Sequence, residues 1–502
     1  MAKKIIVIGS GFGGLTAAIM LAAQGHEVQI FEKRDQPGGR AYQYEVNGFK
    51  FDGGPTVLTA PYLFQELFAQ AGKNVDDYLK FVPLDPFYRI FDHQGRHFNY
   101  SHQMSDMLDE VERWSPSDRD GYERFSRHTA EIFNRFYPMT DQPFLHLGDM
   151  VKIMPDVIQQ FAMLDMYTFV SRYIKNEFLR QVFSFHPLLI GGNPFATPSI
   201  FSLIVKVEKE WGVHYAIGGT GAVIQALTRL FEALGGKIHL GAEVKEIVIQ
   251  NQLAIGIRLG EGTFIPADYV VSNGDVAATY RHLIPEVYRR KFTNRRIDSM
   301  SYSMSLFVIY FGTRKRYLDS KLAHHNILLN KNYRGLLSEI FSNTHLPDDF
   351  SLYLHMPSRT DASISPEGCE SFYVLSPVPH LQADIDWATV GQAYRDKIMQ
   401  FLEDNYLPDL QANIIAEHRI DPVHFQNTLN SYRGAAFSFK PSLFQSAWLR
   451  PHNQSEEFEN LYFAGAGTHP GAGVPAVMSS GKIAANLIQK AISEKNSRMV
   501  AI

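Results

Sequence analysis

Residues 4–32 constrain this chain more than any other stretch. Lys4-Ile5-Ile6-Val7-Ile8 is a short apolar run, and Gly9-Ser10-Gly11-Phe12-Gly13-Gly14 follows it. An apolar stretch of helical spacing continues to Gly25, and a second apolar run from Val28 to Phe31 ends in Glu32. Strand, glycine turn, helix, strand and acid is the order a dinucleotide-binding unit requires. Gly9 lets the chain turn sharply out of the strand. Gly11 lets backbone approach a pyrophosphate, and Gly14 lets the helix pack closely on the sheet. The helix N-terminus offers free N–H groups and a positive dipole end to phosphates. Glu32 is placed to accept hydrogen bonds from ribose hydroxyls. The bland alternative is an ordinary strand–turn–helix, because glycine turns are common. The flanking strands and the terminal acid weigh against it.

Further glycine stations narrow the cofactor. Gly38-Gly39-Arg40 follows Glu32, and Asp52-Gly53-Gly54-Pro55-Thr56 lies beyond. A nicotinamide dehydrogenase requires neither. A flavin dinucleotide lies extended, and its ribityl chain and ring need backbone contact well past the first turn. These stations therefore favour FAD, with Lys33 and Arg40 as basic neighbours; tight turns and nothing more is the competing reading.

The nucleotide unit is expected to be discontinuous. Residues 1–75, 215–285 and 455–502 carry the α/β pattern, including a second Gly218-Gly219-Thr220-Gly221 turn and a final Phe463-Ala464-Gly465-Ala466-Gly467 turn before a helix. Residues 76–214 read as a largely helical lobe, with single helices expected over 117–137, 147–161 and 165–185. Residues 286–454 read as a substrate-binding sheet domain, with a strand-like run over 303–311 in which 304–311 reads as fully apolar; its default role is core packing and its alternative is to line a substrate tunnel. The fold class is α/β with mixed α+β character: a Rossmann-type nucleotide domain, an inserted mixed sheet and a helical, membrane-facing lobe. A net charge of −4 gives no argument for nucleic acid. Cys369 is the only cysteine, so no internal disulfide or cysteine metal cluster forms, as suits a reducing compartment. The motif strand begins at Lys4, which leaves no expectation of a leader peptide. No apolar run reaches membrane-spanning length.

The run 9–15 with Glu32 and Gly38-Gly39-Arg40 is similar to the extended fingerprint of flavin enzymes of the amine-oxidase and carotenoid-desaturase superfamily. Phe463-Ala464-Gly465-Ala466-Gly467-Thr468-His469-Pro470-Gly471-Ala472-Gly473-Val474-Pro475 resembles, more narrowly, the signature of bacterial-type phytoene desaturases. Phe183-Ser184-Phe185-His186-Pro187-Leu188-Leu189-Ile190-Gly191-Gly192-Asn193-Pro194-Phe195 and Glu210-Trp211-Gly212-Val213 agree with it. The resemblance implies that Gly9, Ser10, Gly11, Gly13, Gly14, Glu32 and Lys33 hold the ADP half of FAD. It implies that Gly39, Arg40, Gly53, Gly54, Pro55 and Thr56 follow the cofactor onward, and that Val244 touches the adenine side. Gly465, Ala466, Gly467, Thr468, Gly473 and Val474 would close over the flavin. Amine oxidases commonly carry an acid just after the C-terminal glycine. Ala466-Gly467 stands there instead, which favours the desaturase branch.

The implied activity is stepwise dehydrogenation of phytoene toward lycopene, with hydride passing to the flavin and oxygen or a quinone as final acceptor. The cofactor carries that chemistry, so no metal and no Ser-His-Asp set is expected. Asp149 is a weak candidate for a polar group meeting substrate; its alternative is a helix-start acid. His186 and His469 read more simply as hydrogen-bonded structural residues. A polyene hydrocarbon dissolves in the bilayer, so cytoplasmic protein attached peripherally to the membrane is expected. Apolar residues at 144–170 interleaved with Lys152, Arg172 and Lys175, and the basic run Arg289-Arg290-Lys291 with Arg295-Arg296, are the candidate contacts. Two other readings remain at this stage: a different flavin oxidoreductase (a later-pathway or dehydrosqualene desaturase, or an amine oxidase), and a lipid-binding escort protein that uses no flavin.

Overall fold

A computed structural model describes residues 2–500. Met1, Ala501 and Ile502, the outermost residues of the expected nucleotide domain, lie outside the described residues. A five-stranded sheet takes the order Lys237–His239, Glu27–Phe31, Lys4–Ile8, Tyr269–Ser272, Leu461–Phe463. Every neighbouring pair in it is parallel. Parallel strands covered on both faces read as continuous apolar runs, and Ile5, Ile6, Val7 and Ile8 are all buried. The Lys4–Ile8 strand sits at the centre, with the next strand of the chain, Glu27–Phe31, on one side and the much later Tyr269–Ser272 on the other. Strand order reverses there, and the crevice beyond the strand ends is where such sheets bind ligands.

The Phe12–Ala23 helix is buried from Phe12 to Ala22. It has no polar face because the Gly219–Ala233 and Val474–Val500 helices flank it; a helix apolar all round belongs inside. The second large sheet has seven strands in the order Ile414–Ile420, Ser305–Thr313, Glu370–Val378, Leu352–His355, His325–Leu328, Tyr88–Phe91, His97–Tyr100. Ser305–Thr313 is buried at every position and pairs along its whole length with Glu370–Val378.

Two features differ from the sequence expectation. Residues 76–214 are mainly helical, yet Tyr88–Phe91 and His97–Tyr100 fold as a hairpin that extends the seven-stranded sheet. The overlooked signal is alternation: Tyr88, Ile90, Phe98 and Tyr100 are fully buried while Arg89, His97 and Asn99 are not. The helix expected over 165–185 is two, Met166–Ser171 and Glu177–Ser184. The buried Asp118 carboxylate causes the break. It accepts the N–H groups of Lys175 and Asn176, both at 2.8 Å, replacing bonds a continuous helix would make. Asp165 and Asn176 then cap the two pieces through Thr168 and Leu179 N–H.

Candidate functional site

One cavity of about 700 Å³ runs from the carboxyl ends of the parallel sheet to the face of the seven-stranded sheet. Most of the glycine stations meet at its polar end, although they lie hundreds of residues apart in sequence. Gly9 has φ +90°, and its N–H donates to Phe31 O at 2.8 Å, which seats the turn beside the second strand. Gly9, Ser10 and Gly11 line the cavity. A Cβ on Gly11 would lie 2.8 Å from Asn273 Oδ1. Gly13 and Gly14 do not line it. A Cβ on Gly14 would sit 2.3 Å from Gly9 O, and one on Gly13 3.0 Å from Gly465 N. The bareness of Gly14 serves packing within the first turn, and that of Gly13 serves packing against the last.

Glu32 is 6% exposed and closes this end. Its carboxylate accepts Ser10 N–H at 2.9 Å, Ser10 O–H at 2.7 Å and Arg34 N–H at 3.0 Å. Lys33 reaches across to Asn427 O at 3.0 Å and Asn430 Oδ1 at 2.8 Å. Burial lowers its pKa from the ordinary lysine value. Glu243, Val244 and Lys245 line the same region.

Gly39 and Arg40 lie on the short turn Gly39–Ala41. The Arg40 guanidinium donates to Ser431 Oγ at 2.7 Å, while its buried Nε has no partner. Burial lowers its pKa and the Asp275 charge opposes that shift. Gly53, Gly54, Pro55 and Thr56 form the next stretch of wall. Their carbonyls are held from behind: Tyr310 O–H donates to Gly53 O at 2.7 Å, Tyr373 O–H to Gly54 O at 3.1 Å, and Thr220 O–H to Pro55 O at 2.6 Å. Thr56 Oγ1 lies 2.8 Å from Tyr353 OH and 2.9 Å from Tyr373 OH.

From the far end of the chain, Gly465, Ala466, Gly467, Gly473 and Val474 line the cavity. Thr468 does not; it is fully buried and donates to Pro451 O at 2.7 Å. Asp149 also lies elsewhere, at the start of the Leu147–Gln159 helix, where its carboxylate accepts His146 N–H at 3.2 Å. His186 and His469 stand behind the walls, His186 at 3.1 Å from Glu208 Oε2 and His469 at 3.2 Å from Met139 O. Arg289, part of the basic run, is turned inward instead of toward a surface: it donates to Ile284 O at 3.1 Å and Phe292 O at 2.8 Å.

Three residues of the site carry no motif in the sequence. Asn273, at the end of the Tyr269–Ser272 strand, joins the two glycine turns: its N–H donates to Ile8 O at 2.8 Å and its side-chain amide to Ala464 O at 3.0 Å. Arg450 is buried behind the C-terminal turn and donates to Ala466 O at 2.6 Å and Thr468 O at 3.1 Å. Burial brings its pKa down to about 10. Glu208 is 1% exposed and lies on the cavity wall. It accepts Tyr88 O–H at 2.7 Å, and His186 holds its other oxygen. Single polar residues inside helical or loop patterns give no local sign of such partners.

The rest of the cavity is apolar. Leu188, Leu203, Val207, Leu306, Val308 and Leu375 form much of it. The Ser305–Thr313 strand serves both roles open to it in the sequence. Leu306, Val308 and Tyr310 face the cavity, while Phe307, Ile309 and Phe311 pack into the core on the opposite side, as period-two side chains of one strand must.

A family model described as flavin containing amine oxidoreductase matches residues 12–489. The chain is 44% identical to a lycopene-forming phytoene desaturase of Pseudescherichia vulneris, over 97% of this chain and 99% of that protein. It is 44% identical, with the same coverage, to a lycopene-forming phytoene desaturase of Pantoea ananas. Among solved structures, an oxidoreductase from Methanosarcina mazei shares the fold: TM-score 0.64 at 17% identity, over 95% of this chain and 98% of that one.

Proposed function

This chain belongs to the flavin-containing amine oxidoreductases and, among them, to the phytoene desaturases, and from that premise we propose that it dehydrogenates phytoene in successive steps to lycopene. Its cofactor is FAD. The observation that carries the reading is the single cavity joining a glycine-lined polar end to a long apolar wall. A hydrocarbon offers no hydrogen bond to grasp, so only such a wall orients it.

The residues fit the cofactor. Gly11 leaves room that a Cβ would take, and the buried Arg40 Nε lacks a partner within the protein. Gly9, Ser10, Gly11 and Glu32 are proposed to hold the ADP half, with Val244 beside the adenine. Gly39, Arg40, Gly53, Gly54, Pro55 and Thr56 follow it, and Gly465, Ala466, Gly467, Gly473 and Val474 cover the ring end. Gly13, Gly14 and Thr468 support these from behind. Bound FAD supplies a two-electron acceptor for hydride.

Forming each double bond removes a hydride from one carbon and a proton from its neighbour. Leu306, Val308 and Leu375 hold the chain and exclude water. Among the carboxylates of the wall, Glu32 and Glu243 stand beside Ser10 and Val244 at the glycine end, and Asp275, which caps a helix through Ala278 N–H and leaves its Oδ2 unpartnered, lies in the field of the buried Arg40 and Arg450. Glu208 instead neighbours the apolar Ile204 and Val207, which also line the cavity. Its Oε atoms are the proposed proton acceptor, held in place by Tyr88 and His186. Oxygen or a quinone is the proposed oxidant that returns the cofactor.

The enzyme reaches its substrate, on this reading, as a cytoplasmic protein docked on a lipid bilayer. No helix of the described residues is long and apolar enough to cross a membrane. Leu147, Val151 and Ile158 are 54%, 62% and 61% exposed and fall on one face of the Leu147–Gln159 helix. Phe161 and Met163, just past the end of the helix, are exposed as well. An unpartnered apolar stripe of this kind suits insertion into a bilayer interface.

Expression in a host that accumulates phytoene tests the function. The expected result is red polyene in extracts, with lycopene as the principal product. Unchanged phytoene alongside a folded, FAD-loaded protein overturns it.

A further inference from the structure

The histidines are scattered in sequence and led to no expectation of a metal, yet the fold gathers three of them behind the cavity. His325 and His355 face each other on the paired strands His325–Leu328 and Leu352–His355. His324 precedes the first strand. Each offers one ring nitrogen, and these atoms lie within 4.8 Å of one another. His325 and His355 are 0% and 1% exposed, and His324 is 6% exposed.

From this geometry we propose that His324, His325 and His355 form a binding site for a divalent transition metal, with zinc the best match. Two observations point to a ligand, beyond the clustering itself. The Nε2 of His325 is fully buried and has no hydrogen-bond partner, an arrangement that costs stability unless something is bound there. The outer nitrogens of two of the rings are also already occupied. Thr360 Oγ1 lies 2.7 Å from His324 Nδ1, and Tyr353 OH lies 2.7 Å from His325 Nδ1. Metal-bound histidines are characteristically held in this way through the nitrogen that does not bind the ion.

The ligand chemistry agrees. Burial keeps all three imidazoles neutral near pH 7: His324 is pulled down to about 3, and the other two lie well below the ordinary histidine value. Neutral imidazole is the form that binds metal, and three such nitrogens suit zinc better than magnesium or calcium. A tetrahedral zinc has Zn–N bonds of about 2.1 Å, which spaces its ligands about 3.4 Å apart. His324 Nε2 and His355 Nε2 are already 3.0 Å apart. The third ring offers a nitrogen within 4.8 Å of the other two and closes inward to complete the set. The contact between those two nitrogens needs a proton on one of them. On metal binding, whichever ring carries that proton places it on its Nδ1, so no net proton is released. The Asp361 carboxylate, near enough for its charge to be felt at His324, offsets part of the ion's charge.

The position suggests a structural role. Tyr353 links His325 to Thr56, and Tyr373 links Thr56 to the Gly54 carbonyl. The ion would therefore brace the wall that faces the cofactor, without touching substrate. This inference is independent of which polyene the enzyme uses.

Metal content of the full-length, FAD-loaded protein tests it. Protein made in zinc-supplemented medium and desalted into chelator-free, metal-free buffer should carry about one zinc per chain by plasma mass spectrometry. His325→Ala should carry less than about a tenth of that, while His345→Ala, at an exposed histidine away from the cluster, should be unchanged. Replacing zinc by cobalt should produce the intense visible bands of a tetrahedral cobalt site, to the long-wavelength side of the flavin. Wild-type protein that is folded, FAD-loaded and metal-free overturns the proposal and leaves the cluster as a hydrogen-bonded bracket. Undiminished zinc in His325→Ala overturns it equally. Should that variant fail to fold, His355→Gln and the cobalt spectrum of the wild type decide the matter.

Discussion

The side-chain amide of Asn273 donates to Ala464 O at 3.0 Å and stands 2.9 Å from where a Cβ on Gly465 would lie. The same side chain presents Oδ1 to Gly11. One residue from the middle of the chain therefore sets the gap between the first glycine turn and the last. Gly11 has φ −71°, which any residue adopts, so a substitution there acts through space alone. Gly11→Val should push Asn273 aside, fill the approach to the pyrophosphate and abolish FAD retention while the protein still folds. Colourless, monodisperse protein after gel filtration is the expected result; full flavin occupancy would show that the cofactor runs elsewhere.

Glu208→Gln tests the proton acceptor. The amide keeps the shape and still accepts from Tyr88, so FAD occupancy should stay at the wild-type level. The rate of flavin reduction by phytoene in liposomes, followed anaerobically by stopped flow, should fall by about 100-fold or more, the usual contribution of general base catalysis. An unchanged rate removes Glu208 from the chemistry and returns the proton to water or to a group on the substrate side.

The parallel sheet and its glycine turns are legible because backbone geometry dictates sequence there. A strand buried on both faces must be apolar, and turns packed as closely as Gly13 against Gly465 must be bare, so residues 4–32 and 463–475 carry their own explanation. The single helix read over 165–185 was not a misjudged propensity. Asp118, far off in sequence, takes the two N–H groups that would have continued it. Asn273, Arg450 and Glu208 were hidden for the same reason: each acts through partners more than a hundred residues away or on another element, and nothing local marks it. The Ser305–Thr313 strand shows the intermediate case. Its apolar run predicts burial correctly, yet which alternate residues meet the cavity depends on what the sheet packs against.

Membrane docking depends on the exposed stripe of the Leu147–Gln159 helix. Leu147→Glu with Ile158→Glu places two charges where acyl chains are expected, and neither side chain is buried in the protein. Thermal stability and FAD content should therefore change little. Co-sedimentation with vesicles of mixed neutral and anionic lipid should be lost. Equal sedimentation of the double variant and wild type would move the docking face to another surface.

His469 gives the stability of the enzyme a definite pH signature. It is nearly buried, and burial lowers its pKa from 6.5 to about 4. In the unfolded chain the ring gains its proton near pH 6.5, and in the folded protein only near pH 4. Between those values the unfolded state binds more protons, so stability falls as pH falls. The contribution is fully present above pH 6.5 and reaches its full loss below about pH 4. For a shift of this size it amounts to at most about 3 kcal/mol. Denaturant unfolding of the wild type from pH 7.5 to 4.5 should show that decline, and His469→Gln, which retains a donor for Met139 O, should show a shallower one. Parallel slopes for the two proteins would mean that the His469 ring is protonated in the native state.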